Sequence, residues 1–155
     1  MSKKIVFLAL LLLGLSSIQL QAQNSCDIRT LKNELLRSLK PEYKYDSFKS
    51  TRFIYKNEVQ IIEMTIPLFK GHNFRFLLNT DGLPKGIEIK FHDKKQGAKN
   101  RKELFAINDT PEDGENIYSF EPTDAKKIVL SYIIPRTTKQ NLLGCMVLVI
   151  GYNTK

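Results

Sequence analysis

The two cysteines are the residues of this sequence with the clearest chemistry. Cys26 lies near the amino terminus and Cys145 near the carboxyl terminus. In an exported chain, two cysteines are most simply a disulfide pair. A Cys26–Cys145 bond would close nearly the whole domain into one loop, for which chain entropy gives about 4 to 5 kcal/mol of stability. Two free buried thiols are the rival interpretation, and a zinc site is a poor one because no third cysteine or close histidine accompanies the pair.

The two histidines lack the partners that catalysis requires. His72 lies in a Gly-His-Asn turn, and His92 precedes Asp93 on a strand pattern. A histidine base needs a nucleophile and an orienting group, and no Gly-x-Ser-x-Gly, His-Glu-x-x-His or glycine-rich phosphate motif occurs. We therefore expect both histidines to be solvated surface residues. The chain is predicted to be neither an enzyme nor a cofactor-binding protein, with a hydrolase as the least favoured function.

A tight acidic loop is a weak candidate for a metal site. Its carboxylates are Asp109, Glu112, Asp113 and Glu115. Calcium prefers oxygen-rich loops, but this spacing does not match the helix-loop-helix calcium motif. Pro-Glu-Asp-Gly is ordinary turn material, so we expect a turn and no metal.

A basic stretch is the candidate anion-binding patch. Seven cations fall within 18 residues: Lys85, Lys90, Lys94, Lys95, Lys99, Arg101 and Lys102. A solvated strand-and-loop face explains such a run; the functional alternative is a surface for an anionic glycan or an acidic protein. The patch hypothesis predicts salt-sensitive binding to an anionic matrix, weakened when Lys94, Lys95 and Lys99 become glutamate.

Residues 1–22 are predicted to be a cleaved signal peptide. Lys3 and Lys4 precede the apolar run Ile5 to Leu13, and Ala22 is the expected last residue removed. The run is shorter than the roughly 20 residues of a membrane span, which disfavours an uncleaved anchor. Removing two of the 24 basic residues leaves 22 against 16 acidic ones, a net charge of +6. We expect a periplasmic or secreted protein, with residues 23–155 as one domain and no membrane span in it, and nucleic acid is disfavoured as a partner.

One amphipathic helix is predicted at the start of the domain, over about 27–40. Apolar residues recur at helical spacing, Asp27 or Ser25 can cap the start, and Pro41 prevents continuation past Lys40. The stripe indicates packing over a sheet or the end of a sandwich; a membrane-surface helix is weakened by the lack of an aromatic residue. The apolar positions are Ile28, Leu31, Leu35, Leu36 and Leu39.

The remainder, over about 43–152, has the pattern of about eight short strands separated by turns. Gly86 to Asp93 alternates most clearly, with Ile87, Ile89 and Phe91 on one face. Successive strands without intervening helices favour an antiparallel β-sandwich, of jelly-roll or immunoglobulin-like kind. The other predicted strands are 59–66, 73–78, 102–107, 117–121, 126–134 and 144–152, with the aromatic stretch 43–56 before them.

The last strand is predicted to be the centre of its sheet. Cys145 to Ile150 is a run of six apolar residues between Gly144 and Gly151. A run this short indicates a strand buried on both faces, because a helix would need more length. The strand Lys126 to Ile134 is apolar on both faces too. We expect both strands mid-sheet, with the helix covering part of the outer surface.

The run from Tyr118-Ser-Phe-Glu-Pro through Lys127-Ile-Val-Leu-Ser-Tyr to the last strand resembles small exported bacterial β-sandwich modules. The pre-peptidase C-terminal domains of secreted proteases are one such group. The resemblance covers roughly 73–152 and is one of strand and turn cadence. The aspartate-rich metal-binding positions of that group have no clear match here. It implies a non-catalytic accessory module.

Two functional hypotheses follow. The first is a non-enzymatic binding or assembly component of the bacterial cell envelope that binds a protein partner. The second is a carbohydrate- or polyanion-binding module that uses the basic strand Gly86 to Asp93 and exposed aromatics such as Tyr43, Tyr45 and Tyr55. Fold analogy alone does not choose between them.

Overall fold

The chain folds into two stacked antiparallel sheets with a helix on the outer face of the first. The computed structural model describes residues 26–83, 86–107, 116–123, 126–138 and 143–154, so the predicted signal peptide lies outside the described residues. The elements in chain order are helix α1 (Ile28–Leu39) and strands β1 (Lys44–Ile54), β2 (Gln60–Pro67), β3 (His72–Asn79), β4 (Glu88–His92), β5 (Glu103–Ile107), β6 (Ile117–Phe120), β7 (Lys127–Ile134) and β8 (Leu143–Thr154).

The strand order identifies the kind of sandwich. Sheet 1 has the order β1-β8-β3-β6, and sheet 2 has the order β2-β7-β4-β5. Every neighbouring pair is antiparallel. This double-sheet order is that of a jelly roll, which decides between the two sandwich types that the sequence left open. The predicted antiparallel β-sandwich with an amino-terminal helix is confirmed.

Helix α1 begins and ends where the sequence predicts. The Asp27 carboxylate accepts hydrogen bonds from the backbone N–H groups of Arg29 and Thr30 at 3.1 and 3.2 Å, so Asp27 is the N-cap. The helix ends at Leu39, before Pro41. Its buried stripe is Leu31, Leu35 and Leu39.

Strand β8 is buried on both faces, as predicted. Met146, Leu148 and Ile150 face the core between the sheets, whereas the alternate residues Cys145, Val147 and Val149 pack against the leucines of α1. The helix can approach this closely because Gly151 has no side chain: a Cβ there would collide with the side chain of Leu39. β8 lies between β1 and β3, mid-sheet.

The predicted disulfide joins the start of α1 to the start of β8. Cys26 and Cys145 are bonded, with their Cα atoms 5.9 Å apart and 119 positions apart in sequence. The amino-terminal segment is therefore tied to the central strand of sheet 1.

Strand β7 occupies the corresponding place in sheet 2, between β2 and β4. Ile128, Leu130, Tyr132 and Ile134 enter the core between the sheets. The outward-facing Val129 and Ser131 are also buried, at 0 and 2% exposure. Their cover is not the helix, which packs against sheet 1, but a polar cluster described next.

Candidate functional site

The basic stretch places its arginine at the centre of a partly buried polar cluster on the outer face of sheet 2. Arg101 Nη2 lies 2.6 Å from Glu63 Oε1, 2.9 Å from Ser131 Oγ and 3.0 Å from His92 Nδ1. Its Nε donates to the Lys94 carbonyl at 2.9 Å. The connection between β4 and β5 thus folds back over β7 and β2, and Arg101 closes it there.

Neighbouring strands bring the other members of this cluster together. Ser131 of β7 is paired in register with Glu63 of β2, and His92 of β4 is paired with Val129 of β7. The Ser131 hydroxyl donates to Glu63 Oε1 at 3.0 Å, and the Gln96 N–H donates to Glu63 Oε2 at 3.1 Å. Both carboxylate oxygens of Glu63 therefore have hydrogen-bond partners within the cluster.

The cluster holds its glutamate charged and its histidine neutral. Burial would raise the pKa of Glu63, but the hydrogen bonds from Gln96 and Ser131 and the charge of Arg101 lower it below its usual value. Burial and the nearby Arg101 charge lower the pKa of His92. Because a guanidinium can only donate, His92 Nδ1 accepts, and the proton of the neutral ring is on Nε2.

The expectation of a solvated surface position is wrong for His92, whereas His72 is partly exposed. His92 is buried at 8% exposure, because Arg101 packs over it. His72 is half-buried, with its ring edge-on to Tyr152 at a centroid distance of 5.3 Å. The Ser131 hydroxyl donates to the Glu63 carboxylate rather than to either histidine, and Ser131 is buried.

The lysines of the candidate patch divide into paired and exposed groups. Lys90 Nζ lies 2.8 Å from Glu88 and 3.9 Å from Glu103, and the hydrogen bond to Glu88 raises the pKa of Lys90. Lys94 Nζ donates to two carbonyls of its own loop, at 3.0 and 3.1 Å. Lys95, Lys99 and Lys102 are exposed, and Lys85 lies outside the described residues. The anion-binding hypothesis stays a prediction that depends on the exposed lysines.

The candidate metal residues Asp109, Glu112, Asp113 and Glu115 lie outside the described residues. Within the described ranges, no group of three or more histidine, cysteine, aspartate or glutamate side chains is placed to hold a metal ion. No helix in the same ranges is long and apolar enough to cross a bilayer.

Two of the three tyrosines expected to be exposed are buried. Tyr43 packs beneath the Arg75 guanidinium, which lies 4.1 Å from its ring centroid. Tyr55 lies in the main core beside Phe53. Only Tyr45 is exposed, at 44%. The prediction was wrong for Tyr43 and Tyr55 because a strand pattern does not show which end of a strand other elements cover.

The outer face of β1, left uncovered beside α1, carries exposed side chains along its whole length. We call it the β1 shelf; its residues are Tyr45, Phe48, Ser50, Arg52 and Ile54. These positions pair with Gly151, Val149, Val147, Cys145 and Leu143 of β8. The helix covers Cys145, Val147 and Val149 but leaves Leu143 and the β1 residues exposed.

Apolar side chains lie at both ends of the shelf. Ile54 and its cross-strand neighbour Leu143 are 61 and 55% exposed. Lys32 of α1 lies over the Phe48 ring, with Nζ 4.2 Å from the centroid. Beyond Tyr45 the shelf meets a groove of about 420 Å³ at the carboxyl end of α1, lined by Leu36, Leu39, Lys40, Pro41, Tyr43, Lys44 and Tyr45. Sequence reasoning noted the aromatic residues of this stretch but not the shelf, since the shelf exists only where the helix stops.

A second concavity lies at one end of the sandwich, where the β2–β3 turn meets the β6–β7 connection. This end cleft has a volume of about 620 Å³. Phe69 stands in it, 65% exposed, among Lys70, His72 and Lys126. Its Glu121 is already bound by Arg75, whose Nε lies 2.6 Å away. Among the described lining residues, the charges outside this ion pair are those of Lys70 and Lys126.

No protein-family model matches the sequence, and no similar sequence is found among the curated proteins. The likeness to pre-peptidase C-terminal domains stays a resemblance, and the functional argument depends on the surfaces described above.

Proposed function

We propose that this protein is a non-enzymatic binding or assembly module of the bacterial cell envelope that binds a protein partner through the β1 shelf. The proposal includes export to the periplasm or beyond, with residues 1–22 removed as a signal peptide. The Cys26–Cys145 disulfide supports export, since structural disulfides persist in oxidising compartments.

One observation carries the proposal: an edge strand of 11 residues presents exposed apolar side chains at both ends of its outer face. Large exposed apolar residues that lie together are characteristic of protein interaction surfaces. Arginine and aromatic residues, which are enriched at such interfaces, lie between and beside them as Arg52, Tyr45 and Phe48.

The non-enzymatic part of the proposal is supported by the polar cluster on sheet 2. The hydrogen bonds of Arg101, Glu63 and Ser131 are made to one another, and they fix a loop over β7. A catalytic site would instead direct a nucleophile and a base towards a cleft.

The test is capture from envelope extract by the purified, disulfide-bonded chain and by two matched variants. Phe48→Ser with Ile54→Ser removes the apolar ends of the shelf. Phe69→Ser removes an exposed ring in the end cleft, at 65% exposure. We expect a protein captured by the unmodified chain and by Phe69→Ser to be lost with the shelf variant. Capture of the same proteins by all three chains would overturn the proposal.

A second candidate function, binding of an acidic glycan, is favoured by the end cleft. An exposed ring such as Phe69 can stack on the apolar face of a sugar, while Lys70 and Lys126 attract its carboxylates. Affinity electrophoresis in an acidic polysaccharide tests it. Retardation should be lost with Phe69→Ala and kept by the shelf variant; equal mobility with and without the polysaccharide would exclude glycan binding there.

A further inference from the structure

The open edge of β1 is the feature from which the nature of the partner can be inferred. β1 pairs with β8 on one side and is the outermost strand of sheet 1 in the part of the chain that the structure describes. A strand in this position has backbone N–H and C=O groups directed away from the sheet. A second strand can bind to these groups by β-addition.

One side-chain contact shows which residues of β1 direct their backbone outward. Gln60 Nε2 donates to the carbonyl of Ile54 at 3.0 Å, so that carbonyl is turned away from β8. Because N–H and C=O of alternate residues point to the same side of a strand, Arg52, Ser50 and Phe48 share this orientation. The register is continuous from Ser47 to Ile54, beyond the irregularity between Tyr45 and Ser47. This stretch is about 26 Å long at about 3.3 Å per residue.

The charges along this edge select an acidic strand. Lys44, Lys49 and Arg52 of β1 outnumber Asp46, and Lys32 of α1 adds a cation above Phe48. No ion pair involving Lys44, Lys49 or Arg52 forms among the described residues. Lysine on an edge strand normally opposes edge-to-edge association. Here the same charge repels a second copy of β1 and attracts a strand of opposite sign.

We infer that β1 accepts an extended, acidic segment of the protein partner as a fifth strand of sheet 1. This inference rests on the proposed function, since it specifies the partner of the same shelf. Backbone hydrogen bonds to Phe48, Ser50 and Arg52 would hold the segment. Its apolar side chains would lie on the shelf face, beside Phe48 and Ile54. Its carboxylates would lie on the other face with Lys44 and Lys49, which pair with Tyr152 and Leu148 of β8.

The first experiment uses a fluorescent octapeptide of alternating valine and glutamate as the probe, and its valine–lysine counterpart as the control. We expect the anisotropy to rise with the acidic probe alone, and binding to weaken about tenfold or more when salt increases from low to high concentration. Amide hydrogen exchange should show new protection confined to β1. Equal binding of both probes would overturn the charge selection, and protection elsewhere would overturn the docking site.

The second experiment separates backbone pairing from side-chain contact. Ser50→Pro removes an outward N–H at an edge, where proline is tolerated, and Ser50→Ala is the matched control. We expect the acidic probe to bind Ser50→Ala like the unmodified chain and to lose at least tenfold affinity for Ser50→Pro. An acidic probe N-methylated at alternate residues provides the same test without altering the protein, and should bind correspondingly weakly. Undiminished binding of the methylated probe would overturn strand addition.

The partner captured from envelope extract distinguishes failure of this inference from failure of the proposed function. A partner that needs Phe48 and Ile54 but binds Ser50→Pro undiminished would leave the proposed function standing and overturn strand addition. Insensitivity to the shelf variant would overturn both. Two other occupants of the β1 edge are tested as controls, a second copy of this chain and a lipid surface. A dimer in sedimentation that the acidic probe dissociates would contradict the assignment of the edge to an acidic segment. Binding to phosphatidylglycerol vesicles that the acidic probe displaces would contradict it equally.

Discussion

The outer faces of the two sheets are covered in opposite ways. On sheet 1 the leucines of α1 pack against Cys145, Val147 and Val149 of β8. On sheet 2 the β4–β5 connection lies over β7 and is held by Arg101, Glu63 and Ser131. Both central strands are buried on both faces, but one cover is apolar and the other is a charge network.

The difference predicts different responses to mutation and to pH. A substitution in apolar packing lowers the free energy of unfolding in proportion to the side-chain volume removed, and this loss does not depend on pH. A partly buried ion pair contributes little net free energy compared with apolar packing, yet breaking it is costly because one charge remains without its partner. The outer face of sheet 2 should therefore be the pH-sensitive side of the molecule.

The largest effect is expected from Leu35→Ala in α1. Leu35 is fully buried, and removing its side chain should lower the free energy of unfolding by about 3 kcal/mol through lost burial and a residual cavity. Urea unfolding of the disulfide-bonded chain measures it. The control is Leu104→Ala on β5, exposed at 38%, with an expected change of about 0.5 kcal/mol. Equal losses would mean that the helix contributes little to the cover of β8.

A smaller loss, about 2 kcal/mol, is expected from Arg101→Met. Arg101→Met leaves Glu63 charged and short of its ion-pair partner. The cost is reduced because the side chains of Arg101 and Glu63 are 22 and 18% exposed. Lys99→Met, an exposed position in the same loop, is the control. Adding Glu63→Gln to Arg101→Met should recover part of the loss. No recovery in this double-mutant cycle would contradict the ion pair's role.

A pH dependence of stability is expected from His92 and Glu63. The pKa of each is lowered in the folded protein, so the unfolded chain binds more protons and the free energy of unfolding falls as pH falls. The loss of stability that His92 causes begins as the pH falls below the usual histidine pKa of 6.5. The charges of Arg101 and Lys90 oppose protonation of His92, and those of Glu103 and Glu63 favour it.

Urea unfolding between about pH 8 and pH 5 tests this sign. The decline in stability should be reduced in His92→Gln, which cannot take up the proton, relative to the unmodified chain. His72→Gln is the matched control for the loss of a histidine elsewhere in the fold. A His92→Gln profile parallel to that of the unmodified chain would show that the histidine is not titrating against Arg101.

The smallest effect is expected in the shared core, from Tyr55→Phe. The Tyr55 hydroxyl is buried without a hydrogen-bond partner among the residues that the structure describes, and burial raises the pKa of Tyr55 to about 12. Removing it should leave stability unchanged or raise it by up to about 1 kcal/mol. Tyr132→Phe is the contrast: its hydroxyl accepts from Thr51 at 3.1 Å, so a loss of about 1 kcal/mol is expected there. Thermal unfolding measures both variants: the melting temperature should fall for Tyr132→Phe and should stay the same or rise for Tyr55→Phe.

The elements of sheet 1 could be predicted from local signals. Asp27 and Pro41 mark the helix ends, and the unbroken apolar run of β8 identifies its central position. The disulfide followed from a pair of cysteines behind a signal-like segment. These features depend on residues close in sequence or on a burial pattern within one strand.

The cover of sheet 2 could not be predicted in the same way. Glu63 and Arg101 are 38 positions apart, and nothing in the alternation of either segment shows that the β4–β5 loop folds back over β7. The basic stretch could be recognised in the sequence, but which of its cations are paired and which are exposed depends on how the β4–β5 loop folds over β7. The β1 shelf was equally hidden, because a strand pattern specifies two faces and not which face a helix leaves open.

The bond between Cys26 and Cys145 also determines how proteolytic damage to this protein would appear. A single cleavage at any peptide bond between them leaves two fragments joined by the disulfide. Nicked and intact molecules would therefore migrate with similar apparent mass until a thiol reagent separates the pieces. In an environment rich in proteases, a clipped surface loop would not release either half of the sandwich.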